Sequence, residues 1–158
     1  MSSLRAFAVP ILSSSRFSQI LSIRLVLEGL AVEKATENIT QSEVEELSKL
    51  HAKFVGAEAN QERLKAQSLN RRIHFLIYDR ANMPMLMSSI LNLWAKMGPI
   101  LRVYYSERID VTLGAPDHLN LFEALGAKDC SRAVAAVQAD IIHGCSAIGN
   151  YIRELESS

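Results

Sequence analysis

Apolar residues recur every three or four positions from Arg16 to Leu155, and no convincing period-two run interrupts them. That periodicity confines the chain to packed helices. A first helix over residues 16–36 carries Ile20, Ile23, Leu27, Leu30 and Ala31 on one face. Leu21, Leu25 and Val32 occupy the opposite face, so this helix is apolar nearly all round. Such a helix belongs at the centre of a bundle or at a subunit interface. Thr40-Gln41-Ser42-Glu43 is a capping box that opens a second helix to about Ala59. Its core stripe is Val44, Leu47, Leu50 and Phe54, with Glu45, Glu46, Lys49 and Lys53 solvated, and His51 is read as a surface residue off that stripe.

A third helix runs from about Gln61 to Asp79, where Asn82-Met83-Pro84 stops it. Proline suits the first position of a new helix, which then runs to about Tyr105 with a kink expected at Gly98-Pro99. Its methionines and Trp94 read as core or dimer surface. Residues 108–116 form a loop. A short helix from Pro116 or Asp117 to Leu125 puts His118, Leu121, Phe122 and Leu125 on one face. Asp129 caps the last helix, which ends near Leu155 and is lined by Ala133, Val137, Ile141, Gly144, Ile148 and Tyr151, with His143 at the stripe's edge. The expectation is one all-α domain over residues 16–156, preceded by an extended lead-in over residues 1–15.

Charge and composition exclude several functions. Seventeen basic and seventeen acidic residues leave no net charge, so there is no broad basic field to hold nucleic acid. A hydrophobic fraction of 49% argues against disorder. No run of about 18 apolar residues exists to span a membrane. Residues 5–15 imitate a signal peptide only faintly, because their apolar part is short and contains Pro10. Cys130 and Cys145 fall on the last helix, about 22 Å apart, too far to pair with each other. Unpaired cysteines fit a reducing cytoplasm.

The chemistry concentrates on the third helix. Asn70 and His74 are four apart and share a face flanked by Ile73 and Ile77, so both point inward and need partners. His118 and His143 lie in similar surroundings downstream. If their three helices pack together, one amide and three imidazoles converge in a plausible divalent-metal site. Arg24 falls inside the apolar stripe of the first helix and needs an anion. Glu28, four residues on, would serve, and so would an anionic ligand; the sequence leaves both readings open.

Ile23 to Ala31, Asn70 with His74-Phe75, Asn82-Met83-Pro84, Asp117-His118 and His143 follow one another in an order that resembles the FCD domain. That is the effector-binding C-terminal domain of the FadR subfamily of GntR transcription regulators. The resemblance covers about residues 5–155. It implies an antiparallel all-α bundle of six or seven helices, usually homodimeric. It also implies a divalent metal, zinc, nickel or manganese, held by Asn70, His74, His118 and His143. A small carboxylate effector beside the metal, with Arg24 as a contact, is implied in the same way. DNA is contacted through an N-terminal winged helix that these residues do not include; residues 1–15 resemble only the end of its wing and a linker.

Two positions depart from the family pattern. Asn70 stands where aspartate is commoner, which would weaken metal binding. Asn82-Met83-Pro84 replaces a Gly-Asn-Pro turn. Two rival functions remain. A metal-dependent hydrolase would use a metal-bound water, but no carboxylate obviously faces the site as a general base, Asp140 being the nearest. A structural dimerisation domain would simply hold three satisfied core histidines.

Overall fold

Helix starts follow local chemistry. The computed structural model describes residues 12–107 and 115–158, and among these it contains six helices and no strand. They are α1 (Ser14–Asn38), α2 (Gln41–Ala59), α3 (Arg63–Asp79), α4 (Pro84–Glu107), α5 (Ala115–Gly126) and α6 (Cys130–Glu156). The Ser13 hydroxyl accepts from the Arg16 N–H to start α1, and Asp129 does the same for Arg132 at the start of α6. Both halves of the Thr40–Glu43 capping box form. Pro84 is the first residue of α4, and the helix continues through Pro99 without a break. The expected loop at 108–116 and the lead-in at 1–15 fall mostly outside the described residues; α5 already includes Ala115, and α1 already includes Ser14.

Contacts between helix ends fix the directions. The Ser14 N–H donates to Glu156 Oε1 (2.8 Å) at the far end of α6. The Lys128 ammonium, just before α6, donates to the Thr36 carbonyl (3.0 Å) and to the Ile39 carbonyl at the C-terminus of α1. So α1 and α6 run antiparallel along their length, and a cation sits at a helix C-terminus, where it is favoured. Arg80 at the end of α3 pairs with Glu43 at the start of α2 (2.8 Å), making that pair antiparallel as well. Short turns at residues 60–62 and 127–129 impose the same relation on α2–α3 and α5–α6. Gly149 lets α6 approach α1 closely: a Cβ there would meet the Phe17 ring at 3.1 Å.

The core is continuous. Phe54, Ile73, Ile77, Ile90, Leu121, Leu125, Val137 and Ile152 are all fully enclosed. His51, read from the sequence as a surface residue, is buried at 7% exposure. It lies four residues after Leu47 and three before Phe54, so it belongs to the inward row of α2, and its polar side chain is accommodated by another imidazole there. Phe54 packs beneath this pair, its ring centroid 5.2 Å from that of His118.

Truncation of Phe54 to alanine is expected to cost about 3–5 kcal/mol of unfolding free energy. Loss of the Thr40 cap in Thr40→Ala should cost only about 1 kcal/mol. Urea denaturation of the two variants checks that order.

Candidate metal centre

A fully buried carboxylate, Glu28 on α1, anchors a line of polar groups through the bundle. Arg24, one turn earlier on α1, donates through Nε (2.5 Å) and Nη2 (3.3 Å). The Tyr78 hydroxyl of α3 donates at 2.5 Å and the Trp94 indole of α4 at 3.0 Å. Burial works against the Arg24 charge, yet the Glu28 carboxylate outweighs it and raises the arginine pKa. The same burial, reinforced by Glu28, holds the Tyr78 phenol far above its ordinary value. A charge that is enclosed needs all of these partners.

The line continues into the histidines. Tyr78 has committed its hydrogen to Glu28, so its oxygen accepts from the His74 ring, whose Nδ1 lies 3.0 Å away. His74 Nε2 then faces Asp140 Oδ2 at 3.0 Å. An imidazole lone pair and a carboxylate oxygen at that separation repel unless a proton or a metal ion lies between them. Across the site, His118 Nδ1 is 3.2 Å from His51 Nδ1, one of the two supplying the hydrogen. His118 Nε2 is buried, makes no hydrogen bond, and lies 3.7 Å from Asp140 Oδ1.

Burial, and then the neighbouring His74, push the His118 pKa down to about 3, so the ring is neutral. Burial alone would raise the Asp140 carboxyl, but His74 outweighs it and holds Asp140 below the ordinary value. The ligand atoms of His74, His118 and Asp140 all lie within 4.8 Å of one another. The 3.0 and 3.7 Å spacings are under the ~4.2 Å that two donors, each ~2.1 Å from one ion, can span. Two imidazoles, one of them carrying the orphaned buried nitrogen, and one carboxylate therefore fit a divalent cation. Each histidine also has a partner on its other nitrogen, as ligating histidines do.

Of the residues expected from the sequence, His74 and His118 come together. Asn70 sits one turn before His74 on α3 and lines the adjoining cavity. His143 does not join them: its side chain is 64% exposed and its Nδ1 is bonded to Asp117 Oδ2 at 2.8 Å. The inward row of α6 runs through Val137, Asp140, Ile141 and Cys145, and it is Asp140 that enters the site. Arg24 reaches the cavity, already paired with Glu28. Sequence reasoning passed over Tyr78 and His51 as parts of the site. Tyr78 continues the Asn70–His74 row by another four residues, and His51 holds inward spacing from Leu47, so both were signalled by position. Nothing local signalled the reach of Trp94 to Glu28.

Next to the three donors is a cavity of about 310 Å³. Arg24, Asn70, Arg71, His74 and Asp140 give it polar walls; Met97, Leu101 and Ile148 give it an apolar one. The volume suits a small organic molecule.

The chain is similar to known proteins. A family profile described as the FCD domain matches residues 19–143. The chain is 34% identical over 140 residues to the HTH-type transcriptional regulator McbR of Escherichia coli (strain K12), covering 84% of this chain. It spans 62% of the length of that curated relative. The solved structure of E. coli McbR/YncC is similar with a TM-score of 0.87 at 29% identity, over 96% of this chain and 76% of that one.

The depressed His118 pKa has a definite sign. With chelator present, the unfolded chain takes up a proton below the ordinary value of 6.5 while the folded site refuses it down to about 3. Stability is then complete above that range and falls as the pH drops through it. Asp140, also lowered, adds a loss below its ordinary 3.8, whereas the raised His143 acts oppositely and from an exposed position. Urea denaturation in chelator should give lower stability at pH 5 than at pH 7, with a smaller difference in His118→Gln. Equal stability at both pH values would count against a neutral, buried His118.

Proposed function

This chain belongs to the FCD domain family, and from that premise we propose that it is an effector-sensing domain whose ligand, a small carboxylate, binds beside a divalent metal. The observation that carries this reading is the His118 Nε2, buried without a hydrogen-bond partner opposite the Asp140 carboxylate. Under this reading His74, His118 and Asp140 hold the ion, with the Asn70 amide one turn away as a weaker oxygen donor. His143 instead ties Asp117 at the start of α5 to α6. Imidazole and carboxylate ligands suit zinc, nickel or manganese. The bound ion would supply the positive charge that attracts an effector carboxylate.

Arg24 supports the same ligand class. Its Nε and Nη2 serve Glu28, but among the described residues Nη1 meets only sulfur, Met97 Sδ at 3.3 Å and Cys145 Sγ at 3.6 Å. Thioether and thiol sulfurs are weak acceptors, so a carboxylate oxygen in the cavity improves on them. Because α1, α3, α5 and α6 all supply site residues, a ligand bound there biases how the helices pack. In a GntR-type regulator resembling McbR, that bias passes through a homodimer in the cytoplasm to winged-helix domains and alters their spacing on DNA. A bundle built only for dimerisation would have no use for an unpaired nitrogen in its core.

Metal analysis tests the ligand set. Protein prepared without chelator is expected to carry about one divalent ion per chain and to lose it in His74→Ala and Asp140→Ala, while His143→Ala retains it. A metal lost in His143→Ala but kept in Asp140→Ala would reverse the assignment. Tyr78→Phe removes the acceptor that orients His74 and should weaken metal affinity roughly 10- to 100-fold.

A further inference from the structure

Of the two arginines lining the cavity, only one has its charge answered. Arg24 is buried against Glu28. Arg71, on α3 beside Asn70 and one turn before Phe75, is exposed and has no ion pair among the described residues. Its guanidinium carbon lies 4.6 Å from the centroid of the Phe75 ring and 5.6 Å from that of Trp94. Those two rings pack edge to face, their centroids 5.2 Å apart. Stacking on aromatic rings steadies the planar fork without using its N–H donors, which lie in the plane of the guanidinium. Such a fork matches the two oxygens of a carboxylate, and its preorganisation reduces the entropy lost on binding.

Charge in the cavity points the same way. Arg24 and Glu28 cancel. A divalent ion on neutral His74 and His118 with ionised Asp140 leaves one positive charge, and Arg71 adds a second. A monocarboxylate neutralises half of that; a dianion neutralises all of it.

Resting on the sensor reading above, we propose that Arg71 is the specificity residue of the cavity and selects effectors with a second acidic group, small dicarboxylates in particular. One carboxylate takes the inner end near the metal and Arg24. The other is held by the Arg71 fork, which is steadied by the Phe75 and Trp94 rings. The apolar wall of Met97, Leu101 and Ile148 faces the carbon chain between them.

The chain contains a single tryptophan, Trp94, and it lines this cavity, so its fluorescence reports binding directly. Metal-loaded protein is titrated with glutarate and with butyrate, and the titrations are repeated in Arg71→Gln and Arg71→Lys. Circular dichroism checks that both variants keep the fold, as expected for an exposed side chain. Glutarate should bind roughly 10- to 100-fold more tightly than butyrate, the range for charge-assisted hydrogen bonds. Arg71→Gln should remove that preference, weakening glutarate far more than butyrate; Arg71→Lys, which keeps the charge but not the fork, should fall between. Butyrate binding without a glutarate preference, or a preference that survives in Arg71→Gln, overturns the Arg71 role and leaves the sensor reading standing. Metal-loaded protein that binds neither acid overturns both.

Discussion

A carboxylate without access to water must have its charge answered by the protein, and Glu28 is answered from three helices. Arg24 neutralises it from its own helix, Tyr78 reaches it from α3 and Trp94 from α4. These contacts fix more than packing. By taking the Tyr78 hydrogen, Glu28 makes the tyrosine oxygen an acceptor, and that sets which nitrogen of His74 carries a hydrogen. The free nitrogen is thereby aimed at Asp140. A charge on the first helix thus sets the chemistry of a nitrogen on the third, through one phenol.

The same logic explains why the candidate site and the core share residues. His51, itself in the apolar row of α2, stands behind His118 as Tyr78 stands behind His74. Phe54 packs against both His51 and His118. Polar groups built into a core in this way are strongly determined when satisfied and costly when left open. His118 Nε2 is the one such atom that the protein itself leaves without a hydrogen bond among the described residues.

Much of this was legible in the residue pattern, because helix boundaries depend on local chemistry. The capping box at Thr40, the proline at 84 and the aspartate at 129 each mark a helix start in the structure. His74 and His118 were legible because each stands within an apolar row. His51 was misread because its type suggested solvent while its spacing from Leu47 and Phe54 pointed inward; spacing was the better guide. The choice between Asp140 and His143 could not be read locally. They are three residues apart, on neighbouring edges of one helix, and only the position of α5 decides which edge is covered. The answering of Arg24 by Glu28 was visible as a four-residue spacing, but the reach of Trp94 to that pair was not, since it depends on how α4 crosses α1.

The most direct test of the account is the anomalous scattering of crystals grown with zinc, recorded at the zinc absorption edge. One strong peak is expected about 2.0–2.2 Å from His74 Nε2, His118 Nε2 and an Asp140 oxygen. A peak at His143 and Asp117, or none between the two buried histidines, would contradict it.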